Sequence, residues 1–215
     1  MTPFVVRADD VGKTFNRKII FQGLSFELAR GGSLAITGRN GSGKSTLIKI
    51  IAGVLSPTSG SVSILANGKA LDEAERKEHL GLVSPYLQLY DEFTALENIE
   101  ILSRIRGVAG VDHDRVRMLL TLFGLWERRN DWLRVYSSGM KQRLKYVFAL
   151  VHRPTVLILD EPSANLDADG ISAVRHILQE QTEQGILIVA TNDAAEAKWC
   201  DSALHLENSA RGPKG

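Results

Sequence analysis

Hydrophobic positions change their period twice along this chain. Val5 to Lys13 and Leu24 to Leu28 read as strands, and they lead to the run Ser33-Leu-Ala-Ile-Thr37, which stops abruptly at a glycine-rich turn. After that turn Leu47, Ile48, Ile51 and Leu55 recur at helical spacing, so the local unit is strand, loop, helix. Pro57 and Gly60 end the helix. Ser61 to Leu65 then alternates polar and apolar before the turn pair Asn67-Gly68, as a half-exposed strand does.

From Tyr86 to Val151 the strand signal gives way to helix patterns. Thr94 with Glu97 forms a capping box, Asp112 or Asp114 can cap a helix carrying Val116, Leu119, Leu120 and Phe123, and Gly124 can close it. Alternation then returns: Val156 to Leu159 as a strand, a helix bearing Ile171, Val174, Ile177 and Leu178, then Gly185 and the strand Ile186 to Ala190. Continuous apolar strands separated by helices predict an α/β fold whose mainly parallel sheet is covered on both faces. We expect one domain over residues 1–208, with a nucleotide-binding core and N-terminal antiparallel β region in 1–85 and 152–208. A helical subdomain is expected in 86–151 and a disordered tail in 209–215.

Composition narrows the partners. Twenty-six Lys plus Arg against 25 Asp plus Glu leave a net charge of +1, so no global pull toward nucleic acid is expected. The longest apolar runs, such as Tyr146 to Val151, fall far short of the ~18 residues of a membrane span. Residues 1–10 carry Arg7, Asp9 and Asp10 and lack the pattern of a secretory signal, so a cytoplasmic location is expected. The single cysteine, Cys200, excludes an internal disulfide and reads as a small buried hydrophobe. His79, His113, His152, His176 and His205 show no metal-ligand spacing.

The chemistry is concentrated in two places. Gly38-Arg39-Asn40-Gly41-Ser42-Gly43-Lys44-Ser45 fits G-x-x-x-x-G-K-[ST] between a predicted strand and a predicted helix, the context that gives the motif meaning. Glycines let backbone N–H groups converge on phosphate oxygens, the helix N-terminus adds partial positive charge, and Lys44 reaches the terminal phosphates. Ser45 is a candidate Mg²⁺ ligand, and Thr46 offers a further hydroxyl. The second place is Val156-Leu-Ile-Leu159-Asp160-Glu161, a buried strand ending in two carboxylates. Asp160 at the sheet's carboxyl edge can hold hydrated Mg²⁺, and Glu161 is the candidate base for the attacking water.

Tyr136-Ser137-Ser138-Gly139-Met140-Lys141-Gln142-Arg143 precedes a helix whose face carries Leu144, Val147, Phe148 and Val151. Together with the motifs above, this resembles the ATP-binding-cassette (ABC) ATPases, whose signature reads L-S-G-G-Q; Ser137 and Gly139 match, while Tyr136, Ser138 and Met140 depart. The likeness spans about Val5 to Leu206. It implies a P-loop fold and an ATP- and Mg²⁺-dependent head-to-tail dimer with a second ABC subunit. There Ser137, Ser138 and Gly139 would touch ATP held by the opposite subunit's phosphate loop. Ser163-Ala-Asn-Leu166-Asp167 resembles the loop linking the two sites, and Phe15 falls where the family stacks an aromatic ring on adenine.

Two positions depart from the family. Its Mg²⁺-binding glutamine aligns with Pro85, which leaves Gln88 as a substitute, and its switch histidine is replaced by Asn192. The resemblance implies an ATPase that powers a membrane transporter, peripheral on the inner face of the cell membrane through an integral membrane permease. Tyr86, Leu87, Leu89, Tyr90 and Phe93 are candidate anchors for that partner. The competing readings are a nucleotide-gated assembly module with weak hydrolysis, and a non-transport ABC ATPase.

Overall fold

A computed structural model of the chain describes residues 3–107 and 110–206. The expected tail at 209–215 lies outside the described residues. Strands β1 (Phe4–Phe15), β2 (Lys18–Ala29), β4 (Ser59–Ala66) and β5 (Lys69–Ala70) form an antiparallel sheet in the order β2-β1-β4-β5. The second sheet holds β3 (Ser33–Thr37), β6 (Leu80–Val83), β7 (Val156–Asp160), β8 (Ile186–Thr191) and β9 (Ser202–His205). It runs β6-β7-β8-β3-β9, and every pairing in it is parallel.

The unbroken apolar spelling of β7 and β8 follows from burial on both faces. Leu157, Leu159, Leu187 and Val189 enter a core shared with α4 (His113–Leu122), α5 (Ser138–Leu150) and α6 (Ala168–Gln184). Val156, Ile158, Ile186 and Ile188 enter the opposite core, closed by α1 (Lys44–Ile51) and the antiparallel sheet. Parallel pairing in register brings the strand ends Thr37, Thr191, Asp160 and Val83 to one rim, where ligands of open α/β sheets bind. Residues 86–151 hold α3 (Ala95–Arg106), α4 and α5, with two short 3₁₀ turns. Thr94 caps α3 in a reciprocal box with Glu97, and Asp112, not Asp114, caps α4.

Three elements differ from the sequence expectation. Leu55 was placed in the helical stripe of α1, but the helix stops at Ile51, and Gly53 turns the chain at φ +76°. Leu55 still packs on the same core from the following turn. Helix α2 (Glu73–His79) was not expected: it has no buried residue and so no stripe to read, and Asp72 starts it in a capping box with Glu75. Strand β9 is a short, largely exposed edge strand with little apolar signature.

His152 joins the two parts of the chain: its Nε2 lies 3.1 Å from the Leu80 carbonyl oxygen, and an Arg106 guanidinium nitrogen lies 2.7 Å from Nδ1 and 2.6 Å from Nε2. Burial, then the Arg106 charge, lowers its pKa to about 4. A histidine depressed in the fold stabilises it above the unfolded value of 6.5, and that stability is lost as pH falls toward 4. Unfolding free energy should therefore drop by about 2 kcal/mol between pH 7 and pH 5 from this residue alone. Chemical denaturation at the two pH values checks this, and His152→Gln should flatten the difference.

Candidate functional site

The turn after β3 adopts a conformation that needs glycine at fixed points. Gly38 has φ +146°, and a Cβ there would lie 2.6 Å from the Leu206 carbonyl oxygen. Gly43 has φ +103°, and its Cβ would strike Ile20 Cγ2 at 2.6 Å. The bend delivers the chain into α1, whose first turn has neither a capping side chain nor an acid. Its leading N–H groups and partial positive charge face the rim, the arrangement that receives phosphate. Lys44, nearly buried, donates to its own loop carbonyls, Gly38 at 2.9 Å and Arg39 at 3.3 Å. Its ammonium is thus held inside the loop where phosphate oxygens would replace those carbonyls.

Asp160 stands beside this helix start. Ser45 Oγ donates to Asp160 Oδ1 at 3.2 Å, while Asp160 Oδ2 is buried without a hydrogen-bond partner among the described residues. Burial pushes the carboxyl above its ordinary pKa, the neighbouring Glu161 adds to this, and Ser45 and Lys44 oppose it. An orphaned carboxylate oxygen next to a hydroxyl is a hard, oxygen-only donor pair, and it fits Mg²⁺. The next residue, Glu161, is exposed at φ +54°, a left-handed conformation that costs a non-glycine residue about 1–2 kcal/mol. Two bonds hold it there, Glu161 N–H to the Ala190 carbonyl at 2.9 Å and Ala164 N–H to the Glu161 carbonyl at 3.1 Å. The strained turn ends β7 after Asp160 and leaves Glu161 exposed at the carboxyl edge of the sheet.

Asn192, following β8, donates from Nδ2 to Asn40 Oδ1 at 3.0 Å, which ties it to the phosphate loop. The two line an open cavity of about 720 Å³ with Gly38, Arg39, Asp193 and His205. Phe15, at the β1–β2 turn, is 44% exposed, with Lys13 Nζ 4.8 Å from its ring centre. Gln88 is exposed and makes no hydrogen bond among the described residues.

Ser137 caps α5 by accepting from Met140 N–H at 3.2 Å, and Ser138 begins the helix. A Cβ on Gly139 would lie 2.8 Å from the Asn165 carbonyl oxygen, so the helix start rests directly on the loop after β7. Arg143 pairs with Asp167, which also caps α6 through Gly170 N–H at 2.9 Å. Fully buried Tyr146 donates to the Pro162 carbonyl at 2.6 Å. In the sequence Arg143 ends the signature segment without a partner, and Tyr146 reads only as the start of an apolar run; the structure supplies the contacts of both.

The family model described as "ABC transporter" matches residues 21–164. The chain belongs to that family. Within it, the chain is 33% identical to the lipoprotein-releasing system ATP-binding protein LolD of Bacteroides fragilis, covering 94% of this chain and 97% of that one. It is 31% identical to the linearmycin resistance ATP-binding protein LnrL of Bacillus subtilis over 89% of its length, and spans 62% of that protein. A solved structure of the ATP binding subunit of an ABC transporter superposes with a TM-score of 0.84 at 29% identity, covering 95% of this chain and 86% of that chain. This ABC protein is accordingly an ATP-binding subunit, and its α/β architecture with an antiparallel N-terminal sheet is that of the cassette. Cys200, expected as a small buried hydrophobe, is only partly buried against the core; burial, then the neighbouring Asp201, pushes its thiol up to about 12.

Proposed function

We propose that this ABC subunit hydrolyses ATP at a site shared between two subunits and passes the work to an integral membrane permease. The observation that carries the reading is the convergence at one rim of Lys44, the Ser45–Asp160 pair and Glu161. The Gly38 to Thr46 loop binds the phosphates, and Phe15 offers a flat face to adenine. Ser45 and Asp160 are the residues to hold Mg²⁺, with Gln88 a further candidate; once bound, the ion neutralises phosphate charge and orients its oxygens. Glu161 accepts the proton of the attacking water, and Asn192 donates an amide hydrogen to the γ-phosphate or that water. Ser137, Ser138 and Gly139 cap the ATP of the opposite subunit.

The docking site proposed for the permease is the face that carries Val54 and Tyr86. It lies beside a cavity of about 520 Å³ lined by Gly53, Val54, Leu82, Arg76, Lys77 and Arg106. Val54 and Tyr86 are 69% and 62% exposed, and Tyr86 is held by the Lys49 ammonium 3.6 Å from its ring centre. Affinity purification of the tagged subunit from membranes should bring down a polytopic protein; recovery of the subunit alone would remove the transport assignment.

Asn192 supplies a hydrogen bond but no positive charge. Asn192→His adds a group able to bear charge near the transition state and should raise turnover by ~10-fold or more, since electrostatic stabilisation of this kind reaches a few kcal/mol. Asn192→Ala should lower it. Steady-state phosphate release from the three forms decides, and equal rates would take Asn192 out of the site.

A further inference from the structure

Glu196 lies in the short helix α7 (Ala194–Ala197) and is 4% exposed. Its Oε1 accepts from both the hydroxyl and, at 3.3 Å, the N–H of Ser163; its Oε2 accepts from the Thr191 hydroxyl. Among the described residues no lysine or arginine forms an ion pair with it. Burying a carboxylate without a cation is costly, and an apolar residue of similar volume would serve the packing better. What the carboxylate does that no apolar side chain can do is bind two separate segments at once.

Those segments matter. Ser163 lies two residues beyond Glu161, in the loop that supports Gly139 and carries Asp167. Thr191 directly precedes Asn192, which bonds Asn40, and the Thr191 hydroxyl also receives Asp193 N–H at 2.9 Å. Tyr146 adds a third link by holding Pro162 from α5. Hydrogen bonds, joined by the peptide links Pro162–Ser163 and Thr191–Asn192, therefore connect the helix that begins at Ser137, through the loop after Glu161 and across Glu196, to Asn192 and the phosphate loop.

We propose that Glu196 is a positioning residue: it locks the Glu161–Asp167 loop to the Thr191–Asn192 segment, so that base and γ-phosphate ligand are placed together. This rests on the catalytic reading of Glu161 given above. Nothing in the reaction requires Glu196 to touch ATP.

The test is a kinetic and binding comparison of wild type, Glu161→Gln, Glu196→Gln, Ser163→Ala and Thr191→Val. Glu196→Gln keeps the shape but cannot accept at both ends. It should lower kcat by ~10-fold or more, because small misplacements of reacting groups carry large rate penalties, while KM and nucleotide affinity stay within about threefold. Ser163→Ala and Thr191→Val each cut one arm and should act in the same direction. Ser163→Ala combined with Glu196→Gln should lower kcat by less than the product of the two single effects, since both act on one clamp. A kcat loss that only tracks falling melting temperature and falling ATP affinity across these variants would make the role structural and overturn the proposal. If Glu161→Gln is inactive and Glu196→Gln, Ser163→Ala and Thr191→Val all turn over at the wild-type rate, the clamp fails alone. If Glu161→Gln itself hydrolyses ATP at full rate, the catalytic reading fails and the clamp with it.

Discussion

Glu161→Gln should lower steady-state phosphate release by ~10²-fold or more while leaving ATP and Mg²⁺ binding intact. The substitution keeps size and hydrogen bonding but removes the group that takes the proton. Binding should survive because the residues proposed to hold the phosphates and Mg²⁺, the loop with Lys44, Ser45 and Asp160, make none of their hydrogen bonds to the Glu161 carboxylate. The backbone also tolerates the change: the φ of +54° is enforced by main-chain bonds to Ala190 and Ala164, which glutamine retains. Phosphate release, measured beside titration with a fluorescent ATP analogue, separates the two quantities. Unchanged turnover would remove Glu161 from catalysis.

Lys44→Ala should act on binding itself. The ammonium neutralises phosphate oxygens already present in the ground state, so its loss weakens substrate and transition state together. One or two charge-assisted hydrogen bonds of about 1.5–3 kcal/mol each correspond to a loss of at least ~10-fold in affinity. Folding should be little affected, because the native partners of Lys44 are carbonyls of the same exposed-rim loop, Gly38 and Arg39. The analogue titration checks this directly, and wild-type affinity in Lys44→Ala would mean that the loop does not cradle phosphate.

How much of this was legible beforehand depended on how local the determinants are. The phosphate loop could be read because its glycines, lysine and serine are consecutive and their conformations are fixed by steric limits that each residue carries with it. Strands β7 and β8 could be read because burial on both faces forces an unbroken apolar spelling. Helix α2 and strand β9 were missed because both lie at the surface and bury too little to leave a pattern. Within the site, Asp160 and Glu161 were visible as a strand end, but the positive φ that turns Glu161 outward is set by the Ala190 carbonyl on a neighbouring strand. Glu196 left no local signal, since its partners Ser163 and Thr191 meet it only through the tertiary fold. Gln88 shows the opposite case: it was chosen by its closeness in sequence to Pro85, and it stands exposed on its loop.

The central claim is that two copies or close relatives of this subunit complete each other's ATP site through Ser137 to Gly139. Sedimentation velocity of Glu161→Gln with ATP-Mg²⁺, with ADP and without nucleotide tests it most directly, because hydrolysis no longer dissolves the sandwich. A dimer formed only with ATP-Mg²⁺ is the predicted result, and one sedimenting species of the same mass in all three conditions would contradict it.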